Sequence, residues 1–274
     1  MGIVLGIDIG SSATKIVAMD ESKTILNSLK VSASDPVTAM YGAVGKILCE
    51  ERMQISDVEA VMLTGMGASY VEGDVYGLPT TKVTEFDALG TGGLYLTGLE
   101  EAVVGSIGTG TVFVYAGPEG IQHIGGSAVG GGTLVGLSSR LFGIRDVEVI
   151  ADMAEQGNLK NVDWGIAELS RDQMETLPDY ATSSNLGKMK STATDEDVAL
   201  GLMNMIFQTA GTLAVFACRN VNLKRAVIGG STATLNQGRI MLGQVGELYD
   251  IDFIIPKQAA YMTAIGAAFL FQSK

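Results

Sequence analysis

The sequence predicts an α/β fold of two related halves that face each other across a cleft. Three observations carry this. A strand, a turn of small hydroxyl residues and a second strand occur at 3–19 and recur at 102–115. Helical and extended patterns alternate through the remainder, as in α/β proteins. Glycine, 36 of 274 residues and about twice the usual share of roughly 7%, clusters at the turns between them.

The elements read in order as follows. Residues 2–8, 13–19 and 24–31 form a three-strand opening meander with a turn at 10–12. Asp35-Pro36 starts a helix whose apolar positions Val37, Met40, Val44, Ile47 and Leu48 keep helical spacing to about residue 52. Val58–Thr64 is an apolar run ending in Gly65-Met66-Gly67, and Thr81–Thr84 is a short extended piece before a helix at 87–98. The second half opens with strands at Ala102–Ile107 and Val112–Tyr115, and Gln122–Ile124 leads to a glycine-rich turn at 125–132. Helices follow at Thr133–Leu141, Asp146–Gln156 and Asp195–Asn220, the last with Asp195 as its expected N-cap. Strands at Arg225–Ile228 and Phe253–Pro256 precede a final helix at Tyr261–Gln272. Residues 157–194 lack periodicity and read as an insertion over the cleft or as a surface excursion.

Composition narrows the function. The net charge of −12 disfavours nucleic acid and anionic lipid, because phosphate backbones are held largely by clustered Lys and Arg. An anionic ligand must therefore be held by backbone amides, a metal ion and a few placed cations. No uninterrupted apolar stretch of about 18 residues and no signal-peptide pattern occurs, so a cytoplasmic protein without a membrane span is expected. Cys49 and Cys218 have no partner spacing for a disulfide or a zinc site.

Residues 5–15, Leu-Gly-Ile-Asp-Ile-Gly-Ser-Ser-Ala-Thr-Lys, have the character of a phosphate site. Asp8 can hold a magnesium ion, Gly10 lets the backbone bend towards an anion, Ser11, Ser12 and Thr14 offer hydroxyl donors, and Lys15 adds a positive charge. Two further glycine–hydroxyl turns follow apolar strands, at 108–111 and 229–232. In this order the three turns resemble the phosphate-1, phosphate-2 and adenosine motifs of the actin, Hsp70 and sugar kinase superfamily. The resemblance implies two ribonuclease H-like (actin-like ATPase) domains: 1–100 closed by the C-terminal helix 260–274, and 101–259. Val61–Ser69 and Ala260–Leu270 are similar to its connecting segments, where small residues let helices cross closely.

Within that superfamily the chain resembles the type II pantothenate kinases. The shared pieces are Gly6-Ile7-Asp8 with Gly10 and Lys15, Glu85-Phe86-Asp87-Ala88, Gly108-Thr109-Gly110-Thr111, Gly125-Gly126 with Gly130-Gly131-Gly132, and Ser184-Asn185-Leu186-Gly187. The resemblance implies an ATP- and Mg2+-dependent kinase acting on the hydroxyl of pantothenate or a similar compound. Glu85 would be the base on that hydroxyl. Thr109, Gly110, Gly130, Gly131, Gly132, Thr133, Gly229, Gly230 and Ser231 would hold the nucleotide, and Asp8 the metal. It further implies a homodimer built on the apolar helix at 195–220.

Two positions depart from the family pattern. His123, the only histidine, stands where the family places an arginine near the transferred phosphoryl, and it is counted as a site residue. An imidazole does not reproduce a permanently charged, bidentate guanidinium. Val112 stands where the family tends to have a serine. A related hydroxyl substrate, a cation supplied by Arg140, or a regulator that binds ATP without transferring phosphate are the alternatives these departures keep open. The dehydratase-activator ATPases of the same superfamily need mid-chain cysteines for an iron–sulfur cluster, and none lies between Cys49 and Cys218.

Overall fold

The computed structural model describes residues 2–32, 35–169, 177, 178 and 180–272. Strands β1 (Ile3–Ile9), β2 (Thr14–Met19) and β3 (Ile25–Val31) form the expected meander, and α1 (Pro36–Glu50) begins at the Asp35 cap. β4 (Val58–Thr64) and β5 (Thr80–Lys82) complete a sheet of order β3-β2-β1-β4-β5, antiparallel through β1 and parallel beyond it. After α2 (Glu85–Thr97), strands β6 (Ala102–Ile107), β7 (Thr111–Gly117) and β8 (Gly120–Ser127) form a second meander. α3 (Gly131–Phe142) and α4 (Val147–Glu155) follow. The excursion beyond them holds β9 (Trp164–Gly165), α5 (Ile166–Leu169) and β10 (Thr182–Ser184), and α6 (Asp195–Asn220) is the long apolar helix. β11 (Arg225–Gly229), α7 (Asn236–Tyr249), β12 (Asp252–Ile254) and α8 (Met262–Phe269) complete the chain. The second sheet has the order β8-β7-β6-β11-β12, which repeats the first sheet's order and strand directions. The short echo in the sequence is thus a repeated topology.

Each face of the first sheet has its own core. On β1, Ile3, Leu5, Ile7 and Ile9 pack with Met40, Ala43, Val44 and Ile47 of α1, following the two-residue period of a strand. Val4, with Val17, Met19 and Met62 of the adjoining strands, packs against Ala264, Ile265, Ala267 and Ala268 of α8. Helix α2 touches β6, β7, β8 and β11 on one side and crosses α8 on the other, so it lies between the sheets. α6 is long and apolar enough to cross a membrane, but its buried residues, among them Leu202, Met203, Ile206 and Phe207, pack in the core around the second sheet.

Several expectations need correction. Gly125 and Gly126 belong to β8 and not to a turn. A Cβ at Gly126 would lie 2.3 Å from the Thr111 carbonyl oxygen, so this glycine serves close strand approach. The cap of α6 is Thr194 and not Asp195: Thr194 Oγ1 accepts from the Asp197 amide at 3.3 Å, and Asp197 Oδ2 accepts from the Thr194 amide at 3.0 Å. Helix α7 was not foreseen. The described parts of the excursion pack on α6, where buried Asp163 accepts from the Leu186 amide at 2.7 Å and from Asn204 Nδ2 at 2.7 Å. Part of that segment, 170–176 and 179, lies outside the described residues.

Candidate active site

The site is assembled at the C-terminal end of β1. Asp8 is paired in register with Lys15 on β2 and with Thr64 on β4, so the three side chains form a row on one face of the sheet. Lys15 Nζ lies 3.5 Å from Asp8 Oδ2, and Asp8 is largely buried. Behind the row, Gly65 has φ 83°, and a Cβ there would strike Asp8 Oδ1 at 2.5 Å; only glycine suits both demands.

The predicted turns converge on this row. Ser11 Oγ and Ser12 Oγ lie 2.7 and 3.1 Å from Thr109 Oγ1, joining the β1–β2 turn to the β6–β7 turn across the cleft. Gly10 closes its own turn, its amide donating to the Ala13 carbonyl. The glycine run sits on the second turn: a Cβ at Gly130 would lie 2.8 Å from the Gly110 backbone, and one at Gly132 would lie 2.9 Å from the Thr109 carbonyl oxygen. The third turn docks on the same place, since a Cβ at Gly131 would meet Thr232 Oγ1 at 2.4 Å. Gly230, at φ 93°, would likewise meet the Ile107 carbonyl oxygen at 2.4 Å. Gly229 abuts Met262 at the start of α8, and the Ser231 carbonyl accepts from Thr234 Oγ1.

One expected role is changed by this packing. The Gly131 and Gly132 amides donate to the carbonyls of Gly108 and Thr109, at 2.8 and 2.9 Å. They brace the second turn. Thr133 Oγ1 accepts from the Gly130 amide at 3.2 Å, holding the first turn of α3. Arg140 is exposed in the last turn of α3.

Glu85 is the first residue of α2. Thr84 caps the helix, its Oγ1 accepting from the Asp87 amide at 3.0 Å and donating to Asp87 Oδ2 at 2.6 Å, so the cap is made without Glu85, which has no hydrogen-bond partner among the described residues. Although Glu85 is exposed, desolvation by the surrounding protein and then the charge of Asp8 push its carboxyl above the usual carboxylate range, with Lys15 pulling partly back. The next residue, Phe86, stacks on His123 of β8, ring centroids 4.4 Å apart and planes 12° from parallel. His123 is therefore anchored to the first turn of α2 by an aromatic contact. The sequence did not reveal this contact of Phe86, although the residue lay inside a quoted motif, and it showed Thr64 only as the end of an apolar run.

Two sheets of one order, facing a cleft with Asp8 in its floor and glycine and hydroxyl turns on its walls, have the actin-like ATPase fold. Residues 102–247, more than half of the chain, match the Fumble family, and the chain belongs to that family, the type II pantothenate kinases. It is accordingly a pantothenate kinase-like phosphotransferase. A type II pantothenate kinase of Staphylococcus epidermidis is 24% identical over 97% of this chain and 99% of its own length. Among solved structures, the activator of 2-hydroxyisocaproyl-CoA dehydratase from Clostridium difficile with bound ADPNP is similar in fold. It has a TM-score of 0.68 at 16% identity and covers 97% of this chain and 92% of its own. A ROK family glucokinase from Streptomyces griseus, in complex with glucose and AMPPNP, gives a TM-score of 0.60 at 13% identity, over 98% and 99%.

Proposed function

We propose that this protein transfers the γ-phosphoryl group of ATP to the hydroxyl of pantothenate or a closely related alcohol, the first step of coenzyme A biosynthesis. The observation that carries the reading is Glu85. It is a carboxylate without a capping duty, raised in proton affinity, facing Asp8 and Lys15 at the mouth of the cleft. Phosphoryl transfer asks the protein for in-line positioning and charge stabilisation more than for covalent chemistry. Glu85 accepts the proton of the attacking hydroxyl. Ser11, Ser12 and Thr109, now bonded to one another, exchange those bonds for bonds to phosphate oxygens.

Asp8 suits Mg2+. It is a buried carboxylate oxygen donor, the hard ligand type that Mg2+ prefers. Bound there, the ion neutralises phosphate charge. We take residues 1–100 with 260–274, and 101–259, as the two halves of the cleft, and the cytoplasm as the place of action.

The acceptor is tested by ADP release with Mg2+–ATP and either pantothenate or its uncharged amides. Release driven by pantothenate and raised in His123→Arg supports a carboxylate acceptor for which the stacked imidazole is a weak counterpart. Release driven only by the amides, in both proteins, identifies an uncharged alcohol as the acceptor. The Phe86–His123 stack favours this second reading, because an aromatic stack occupies the position where the family places an arginine. No acceptor-dependent release with any alcohol would support a nucleotide-binding regulator. The chain is also expected to form a homodimer through α6, on which Phe216 is 57% exposed, and light scattering at micromolar concentration should return twice the chain mass.

A further inference from the structure

Thr64 ends β4 in register with Asp8, and its hydroxyl oxygen is buried without a hydrogen-bond partner in a residue only 1% exposed. An unpartnered buried hydroxyl is unfavourable, and valine has the same shape without it. The row Lys15–Asp8–Thr64 offers charge on one side of the carboxylate and this idle hydroxyl on the other. Gly65, the next residue, keeps the backbone of Ile9 and Asp8 Oδ1 close behind it.

We infer that the Thr64 hydroxyl is a positioning group for the hydrated divalent cation at Asp8, accepting a hydrogen bond from a water in the cation's shell. Its partner arrives with the cation, and Thr64 touches neither phosphate nor acceptor. This rests on the reading of Asp8 as the metal ligand. Mg2+ holds its waters tightly and depends on surrounding acceptors to orient them, so losing one weakens binding without removing a ligand.

The test is Mn2+ binding to the protein–ADP complex, followed by electron paramagnetic resonance of the free ion, together with the Mg2+ dependence of turnover. Thr64→Val should bind Mn2+ about tenfold more weakly, and it should raise the Mg2+ concentration for half-maximal turnover by a similar factor, with little change in kcat at saturating Mg2+. Thr64→Ser should restore both. Thr64→Ala, as a second hydroxyl-free variant, should resemble Thr64→Val. Wild-type Mn2+ affinity in the Val and Ala variants, or equal losses in Val and Ser, would overturn the inference. Asp8→Asn separates the underlying reading: if it binds Mn2+ like the wild type, the metal is not at Asp8, whatever Thr64 does.

Discussion

Glu85→Gln is expected to lower kcat by roughly 10²–10⁴-fold, the usual contribution of a positioned general base. The substitution keeps the shape of the side chain and removes only its capacity to take a proton. Glu85 has no hydrogen-bond partner among the described residues, and the cap of α2 is made by Thr84 and Asp87, so the helix should remain intact. The nucleotide end is untouched, and the KM for ATP should change little. Steady-state kinetics with the accepted alcohol decides the matter, and undiminished turnover in Glu85→Gln would remove Glu85 from the mechanism.

The same residue fixes the sign of the pH dependence. Desolvation and the Asp8 charge raise the Glu85 carboxyl above the ordinary carboxylate range. A base must be deprotonated to work, so kcat/KM should fall as pH drops through that raised value, an acidic limb that begins above the pH of a free glutamate. The stability effect has the opposite direction. A carboxyl that holds its proton more tightly when folded contributes stability below its raised pKa and loses that contribution as pH rises through it. Glu85→Gln should therefore be slightly more stable than wild type at neutral pH, and the acidic limb should vanish along with the activity.

The strands that build the site were legible because β1, β4 and β6 are apolar runs of Ile, Val, Leu and Ala that end abruptly in Gly or Asp. Asp8 and Lys15 could be named because they flank the turn that ends β1, whereas Glu85 could be named only through the resemblance of its Glu-Phe-Asp-Ala block. What escaped were roles created by packing between distant segments. The sequence reading assigns no element to 236–249; glycine is a poor helix former, yet in α7 Gly238 and Gly246 face the Phe207 ring and the Ile251 carbonyl, where a Cβ would lie at 2.7 and 2.5 Å. Gly131 and Gly132 read as open phosphate donors, because nothing local reveals that their amides meet the Gly108 and Thr109 carbonyls. The anchoring of His123 by Phe86 depends on α2 lying across β8, a tertiary fact.

That placement of α2 rests on its crossing with α8, and Gly266→Ala should disturb it more than any other single methyl. A Cβ at 266 would lie 1.8 Å from the Ala88 carbonyl oxygen and 2.6 Å from the Gly92 amide, backbone atoms that no side-chain rotation can move aside. The reciprocal contact is as tight, with a Cβ at Gly92 2.0 Å from the Met262 carbonyl oxygen. Alanine has the better helix propensity by up to about 1 kcal/mol, but overpacking costs up to about 3 kcal/mol, and the helices must part. α8 cannot yield towards the sheet, because a Cβ at Gly6 would already lie 2.1 Å from the Ala264 carbonyl oxygen. The net loss of about 2 kcal/mol should lower Tm by roughly 4–8 °C in a chain of this size. Gly42→Ala and Gly45→Ala on α1, where a Cβ meets nothing within 4 Å, should instead be neutral or stabilising. If Gly266→Ala behaved like these two, the close crossing would be wrong. If it is right, kcat should fall beyond what the unfolded fraction explains, because Glu85 and Phe86 ride on the first turn of the helix that is displaced.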